Sequence, residues 1–277
     1  MIAAEQGLAS TFDRVARLYD QIRPGYPEAL IDDAIALSGI SLAGRILEIG
    51  CGSGQATLPF ARRGYTLLAL EPGRNLAALA ATHCRPYPQV QIEPTSFEAW
   101  TLQPQRFDLV LSASAFDWIP PETGFPKAAA ALKEGGALAL LWNDHCGADT
   151  PFFRAVKRVH RTRAPQLAGS ADPRSLENRL ADQVQQFERS GLFGPVIVRR
   201  YPWSTVYSAR EYVKLLSTYS AVQALPPATR RYLLQGIRDL VDRFGGQVDT
   251  QYLSVLFIAG IASGPTSGSE LACRSRQ

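Results

Sequence analysis

Residues 46–54 read ILEIGCGSG: an apolar run carries Glu48, and Gly50, Gly52 and Gly54 then alternate with Cys51 and Ser53. Glycines let a ligand approach the backbone closely and take turn conformations closed to other residues. A helix beginning near Gln55 would add free N–H groups at its start. The order strand, glycine turn, helix is how open α/β sheets seat nucleotide cofactors outside the carboxyl ends of their strands. A second carboxylate, Glu71, closes the next apolar run in ALEPG, followed by Pro72. An acid there is placed to accept both ribose hydroxyls of an adenosine.

Two cofactor classes compete for such a turn. A dinucleotide site wants G-x-G-x-x-G; counted from Gly50 and Gly52, the third glycine falls on Gln55. Glu48 would repel a pyrophosphate and hold a cation. S-adenosyl-L-methionine carries a sulfonium and an ammonium and no phosphate, so the loop favours it over NAD. Glu71 supports an adenosine ligand without choosing between them.

The elements that must position these residues follow from hydrophobic pattern. Strands are expected at 45–49, 66–70, 89–93, 107–113 and 137–142, with helices from Gln55, over 75–82, around Phe97 and over 123–133 between them. Continuous apolar strands alternating with helices imply a parallel sheet covered on both faces. KEGG (133–136) reads as a helix end with Gly135 or Gly136 in a left-handed cap. Beyond Trp142, helices are expected over 151–163, 174–190, 208–219 and 227–243. A strand is expected at 195–203, and residues 245–260 read as a hairpin-like turn and a last strand. Residues 144–190 and 204–244 are candidates for a helical cap over the carboxyl edge of the sheet.

Taken together, ILEIGCGSGQATLPFARRGYTLLALEPG, FDLVLSASAFDWI and ALKEGGALALLWN resemble the motifs of class I S-adenosylmethionine-dependent methyltransferases. Within that class the chain is similar to small-molecule enzymes of the ubiquinone-biosynthesis and trans-aconitate type, as is LYDQIRPGYP (18–27). The resemblance covers roughly residues 10–143. It implies an α/β fold: a Rossmann-like seven-stranded, mostly parallel sheet with helices on both faces, a helical cap and an antiparallel last strand. It implies that Glu48, Gly50, Cys51, Gly52, Ser53 and Gly54 hold the methionine moiety, and Glu71 with Pro72 the ribose. Ser96 and Phe97 match the adenine segment, although Thr95-Ser96 stands where many relatives have an acid, and Ser112 and Ala113 match the strand-four end that faces the cofactor. The segment 1–27 becomes a lid, 28–143 the cofactor-binding core, 144–262 the remaining strands with inserted cap helices, and 263–277 a flexible tail.

Methyl transfer from a sulfonium needs alignment of the acceptor and exclusion of water, with a base only for a protonated acceptor. Asp117 in SAFDWIP is either that base or a turn cap. His145 in WNDHC is better suited by intrinsic pKa, or else an ordinary loop histidine. Phe116, Trp118 and Trp142 line an acceptor pocket or belong to the core. Tyr19, Arg23 and Tyr26 stand in the lid segment, where Arg23 would pair with a carboxylate or merely precede Pro24 on the surface. Tyr219, at a helix end, would close over a planar acceptor. Asn143-Asp144 is a weak metal signal and reads more readily as a loop or cap.

Composition bounds the rest. Net charge is +4 over 277 residues, too little to mark a nucleic-acid binder. Arg154, Lys157, Arg158 and Arg161 share one helical face, ordinarily a solvated one. The cysteines Cys51, Cys84, Cys146 and Cys273 and the histidines His83, His145 and His160 have no zinc spacing, so no metal is expected. Unpaired cysteines, an N-terminus unlike a signal peptide and no membrane-length apolar run give a cytoplasmic expectation. The expected partner is a small-molecule substrate, without nucleic acid or membrane insertion. The rival functions are a nicotinamide-dependent oxidoreductase and a non-catalytic protein that kept the cofactor fold.

Overall fold

A computed structural model of the chain describes residues 11–145, 150–167 and 175–262. The N-terminal decapeptide, Cys146, Cys273, the expected helix start at residue 174 and the tail 263–277 lie outside them. Helices are α1 (Ala16–Ile22), α2 (Glu28–Ser38), α3 (Thr57–Arg62), α4 (Arg74–Cys84), α5 (Pro121–Ala131), α6 (Pro151–Arg163), α7 (Leu176–Ser190), α8 (Ala209–Leu216), α9 (Ser220–Gln223) and α10 (Pro227–Arg243). Strands are β1 (Arg45–Ile49), β2 (Thr66–Leu70), β3 (Val90–Glu93), β4 (Phe107–Ala113), β5 (Leu132–His145), β6 (Ile197–Ser208) and β7 (Gln247–Gly260).

The seven strands form one sheet in the order β3-β2-β1-β4-β5-β7-β6. All run parallel except β7, which is antiparallel to both β5 and β6. Alternation along the strands sends side chains to two cores. Leu47, Val110, Leu140 and Phe257 meet Phe125 of α5 and Phe187 of α7. Ile46, Leu109, Leu141 and Leu256 meet Leu30 and Ile31 of α2 and Phe60 of α3. A third core joins α6, α8 and α10 to the outer part of β7 through Phe153, Tyr212, Leu215, Ile237 and Tyr252. That is the cap; α7, expected within it, packs instead on the sheet beside α5 through Leu180 and Phe187, and two of the cap helices carry side-chain N-caps. Thr150 accepts from the Phe153 N–H at the start of α6, and Ser208 with Glu211 forms a capping box on α8.

Three local expectations are corrected. KEGG is not a helix end: α5 stops at Ala131, and residues 133–136 form an irregular stretch of β5. Its pairing with β4 jumps from Phe107↔Leu132 to Leu109↔Ala137, and Gly135 takes φ 74° there. The left-handed glycine was legible; its place in a bulge, which needs the neighbouring strand, was not. No helix forms around Phe97, where residues 97–99 make a turn and the Ser96 hydroxyl accepts from the Ala99 N–H. Residues 245–246 are no hairpin turn, because β6 leads into α8 and the chain returns to β7 only after α10.

Candidate functional site

The glycine stretch leaves β1 in a tight turn, with Gly50, Gly52 and Gly54 at φ 68°, 60° and 101°. Four of its N–H groups bond inside the protein. Those of Gly50 and Cys51 both donate to the Leu70 carbonyl, at 2.9 and 3.0 Å, and that of Gly54 donates to the Cys51 carbonyl. The Gly52 N–H donates to Glu71 Oε2 at 2.9 Å, and the Gly73 N–H donates to Glu71 Oε1 at 2.8 Å. Glu71 is therefore a strut between the turn and the end of β2. Burial raises its pKa, opposed by these two backbone donors.

Glu48 is fully buried beneath this turn, and neither carboxylate oxygen has a hydrogen-bond partner. Burial pushes its pKa up to about 7; the nearby Thr57 hydroxyl opposes the rise and the Glu71 charge adds to it. The sign for stability follows by linkage. The folded chain holds this proton at pH values where the unfolded chain has released it, so stability falls as pH rises from about 4.5 to 7. Glu48→Gln, permanently neutral, should flatten that stretch of the stability–pH curve and be the more stable form at pH 8. Chemical denaturation of both proteins from pH 5 to 8 measures it; parallel curves would exclude an elevated Glu48 pKa.

The N-terminal segment crosses the carboxyl edge of the sheet and is held at each end. The Asp13 carboxylate accepts from the N–H groups of Asn75 and Leu76 at the start of α4, and Asp20 meets His83 at 2.9 Å. Tyr19 covers the turn, so that a Cβ on Gly52 would lie 3.6 Å from its ring. The Arg23 guanidinium lies 5.2 Å from the Tyr19 ring and 4.6 Å from the Tyr219 ring. Its Nε donates to the Thr218 hydroxyl and its Nη2 to the Thr218 carbonyl, which joins the segment to the cap. The Tyr26 and Ser114 hydroxyls share a 2.9 Å hydrogen bond. Ser114, immediately after β4, has φ 56°, a strained value for a residue with a side chain.

These groups enclose a cavity of about 240 Å³ under the cap. On one side it is lined by Tyr19, Arg23, Tyr26, Gly50, Cys51 and Gly52. On the other stand His145, Tyr219 and Tyr252. Burial lowers the His145 pKa, which keeps the ring neutral near pH 7, and its buried Nε2 has no partner. Phe153 and Tyr252 hold it edge-on, with centroids at 5.4 and 5.7 Å. Asn143 is fixed by a relay. The Trp203 indole N–H donates to Ser254 Oγ, whose hydroxyl donates to Asn143 Oδ1, and Asn143 Nδ2 donates to the Gly25 carbonyl.

The structure thus brings together nine of the residues singled out from sequence, Tyr19, Arg23, Tyr26, Gly50, Cys51, Gly52, Ala113, His145 and Tyr219, and it places the others elsewhere. Asp117 and Trp142 line a different cavity. Phe116 is buried against Phe125, and Phe97 is buried and stacked on Trp100. Trp118 touches the N-terminal segment through Phe12. Ser112 is buried and its hydroxyl donates to the Ile49 carbonyl, Ser53 accepts from Gln55 Nε2, and Pro72 is exposed. Ser96, Ser53, Gly54 and the strut Glu71 lie outside the cavity lining, as does Glu48, beneath the turn. Asn143 and Asp144 diverge, Asp144 pairing with Arg179 at 3.1 Å; among the described residues no group of three potential ligands could hold a metal ion. Gln55, Ser114, Asn143, Leu215 and Tyr252 line the cavity without having been singled out as site residues from the sequence. Tyr252 had no local signal, since only the β5–β7 register sets it opposite His145.

Comparison with known proteins gives this geometry a context. Residues 46–136 match a family described as a methyltransferase domain. A methyltransferase of Mycobacterium tuberculosis whose name assigns no substrate is 30% identical over 144 residues, which cover 52% of this chain and 56% of that protein. The chain therefore spans about half the length of that relative. The trans-aconitate 2-methyltransferase of Variovorax paradoxus is 27% identical over 215 residues, 76% of this chain and 75% of its own. The fold is shared with Haemonchus contortus phosphoethanolamine N-methyltransferase 2, solved with phosphomonomethylethanolamine and S-adenosylhomocysteine. Its TM-score is 0.54 at 17% identity, over 91% of this chain and 58% of that one.

Proposed function

We propose, from the premise that the chain belongs to the class I S-adenosylmethionine-dependent methyltransferases, that it transfers a methyl group from S-adenosyl-L-methionine to a small-molecule acceptor. The observation that carries this reading is the pairing of a buried, unpartnered Glu48 with a glycine turn whose N–H groups at Gly50, Cys51, Gly52 and Gly54 are already bonded inside the protein. A pyrophosphate needs free N–H donors and no anion beneath them. A cationic ligand is compatible with both features, which argues against the nicotinamide alternative.

The cofactor supplies an electrophilic methyl group on a sulfonium. Its methionine end would rest on Gly50, Cys51 and Gly52 under Tyr19, with Arg23 as partner for a carboxylate. Glu71 retains lone pairs for ribose hydroxyls beside its two backbone bonds. The acceptor would occupy the side lined by His145, Tyr219 and Tyr252. His145 Nε2, neutral and unpartnered, would take the acceptor's proton as the bond to the methyl carbon forms and the carbon–sulfur bond breaks. Tyr19 and the cap exclude water, which would otherwise compete as acceptor. Asp117 plays no part in this arrangement. Among the described residues no helix is long and apolar enough to cross a membrane, and we place the reaction in the cytoplasm.

The test is formation of S-adenosylhomocysteine from S-adenosylmethionine in the presence of small carboxylic acids, the class suggested by the Variovorax relative, and of phenols and amines. At least one acceptor should gain a methyl group by mass spectrometry. His145→Gln should lower kcat for a protonated acceptor by about 10²–10⁴-fold, the usual contribution of a general base. Unchanged turnover in that variant would remove His145 from the mechanism.

A further inference from the structure

Glu71 has spare lone pairs for a ribose, but they are covered. Only 6% of the residue is exposed. It borders neither the cavity under the cap nor the second cavity, at Asp117 and Trp142. A ribose can reach its carboxylate only if a neighbour moves. The glycine turn and β2 are tied into the sheet by backbone hydrogen bonds. The other neighbours, Asp13 and Tyr19, belong to the N-terminal segment. A Cβ on Gly73 would lie 2.8 Å from Asp13 Oδ1, 3.2 Å from Asp13 Cβ and 2.9 Å from Glu71 Oε1, so the two carboxylates meet over that glycine. Burial is the main cause of the raised Glu71 pKa, and the Asp13 charge adds to it, as a like charge at close range does.

Asp13 is held by the first turn of α4. Its Oδ1 accepts from the N–H groups of Asn75 and Leu76 at 2.7 and 3.1 Å, and its Oδ2 accepts from Asn75 Nδ2 at 3.0 Å. Unpaired backbone N–H groups at a helix start favour a carboxylate. The chain beyond Asp13 has anchors of its own: Asp20 on His83, Arg23 on Thr218, and the Gly25 carbonyl on Asn143 Nδ2. Asp13 can therefore leave α4 while Tyr19 stays over the glycine turn. Its departure would uncover Glu71 and end the contact between two carboxylates.

We propose that Asp13 is a latch that shields Glu71 and competes with the ribose of the cofactor, so that its carboxylate must leave the start of α4 before the adenosine can bind. The proposal rests on the assignment of this site to S-adenosylmethionine made above. A protein that binds only when unlatched has its affinity reduced by the fraction unlatched. Weakening the latch should then tighten binding, whereas removing part of a lid that holds the ligand down would weaken it. Full-length wild-type protein, Asp13→Ala and Asp20→Ala are titrated with S-adenosylhomocysteine by calorimetry. Asp13→Ala should bind roughly threefold more tightly or better. Asp20→Ala loosens the same segment away from Glu71 and should bring no tightening. In the wild-type protein, NMR hydrogen exchange at the Asn75 and Leu76 amides should become faster with the ligand, since Asp13 no longer covers them. Unchanged or weaker binding by folded Asp13→Ala, or equal tightening by Asp20→Ala, would overturn the latch. Should Asp13→Ala not fold, unchanged or slower exchange at those two amides in the wild-type protein would do so. Absence of binding by every form would instead remove the cofactor assignment, and the latch with it.

Discussion

Replacing Gly50 by alanine should lower the melting temperature by roughly 5–15 °C and abolish detectable cofactor binding. A Cβ at this position would lie 2.4 Å from the Ala115 Cβ, a distance that real carbon pairs do not reach. Both atoms sit on backbone, so neither can rotate away as a long side chain would. The φ of 68° adds the left-handed penalty, about 1–2 kcal/mol for a residue with a side chain. Forcing volume into a packed site costs about 1–3 kcal/mol more. Relief requires the β1 turn to separate from the segment after β4, the two walls that meet at the cavity. Gly64 is the internal control: its φ is 89°, but nothing lies within 4 Å of its Cβ position. Gly64→Ala should therefore show the backbone penalty alone, at most about 2 kcal/mol, and retain binding. Thermal melts of both variants, with and without S-adenosylhomocysteine, measure the contrast; equal losses would mean that the contact with Ala115 is not what restricts Gly50.

Glu71→Ala should weaken S-adenosylhomocysteine binding by about 2–3 kcal/mol, roughly 30- to 150-fold, the scale expected for charge-assisted hydrogen bonds. Two losses combine. The ribose would lose its acceptor, and the N–H groups of Gly52 and Gly73, now bonded to Oε2 and Oε1, would lose theirs. The turn is then free to rearrange under the methionine end as well. Glu71→Gln keeps one carbonyl acceptor in nearly the same shape and should fall between the two. Titration calorimetry on the three proteins gives the order. An unchanged dissociation constant in folded Glu71→Ala would place the ribose elsewhere.

The glycine-turn wall of the cavity was legible because its parts are local. A strand, a glycine turn and the acid of the next strand follow one another in the chain, and each leaves a mark in residue type. The strands at 45–49, 66–70 and 107–113 were legible for the same reason, since buried parallel strands are short continuous apolar runs. The wall bearing His145, Tyr219 and Tyr252 was legible only in its first two residues, because it is made by register. His145 meets Tyr252 only through the β5–β7 pairing, and Asn143 receives its orientation from Ser254 and Gly25. Asp117 and Trp142 stood close to the right motifs in sequence. Alternation along β5 turns Trp142 to the opposite face from His145, and the turn after β4 carries Asp117 to the same second cavity. Ser114 was overlooked because nothing in SASAF marks one serine as left-handed; its φ is 56° and its hydroxyl bonds that of Tyr26.

The central claim is that the turn after β1 holds a cationic, phosphate-free adenosine cofactor. The most direct measurement is calorimetric titration of the full-length protein at pH 8 with S-adenosylmethionine, S-adenosylhomocysteine and NAD in parallel. With Glu48 ionised, both sulfur compounds should bind at one site per chain, and NAD should give no saturable heat. Repeating the S-adenosylmethionine titration at pH 6 should give weaker binding, since a cation must then displace the proton on Glu48, whose pKa is raised to about 7. Saturable binding of NAD with no heat from either sulfur compound would contradict the account.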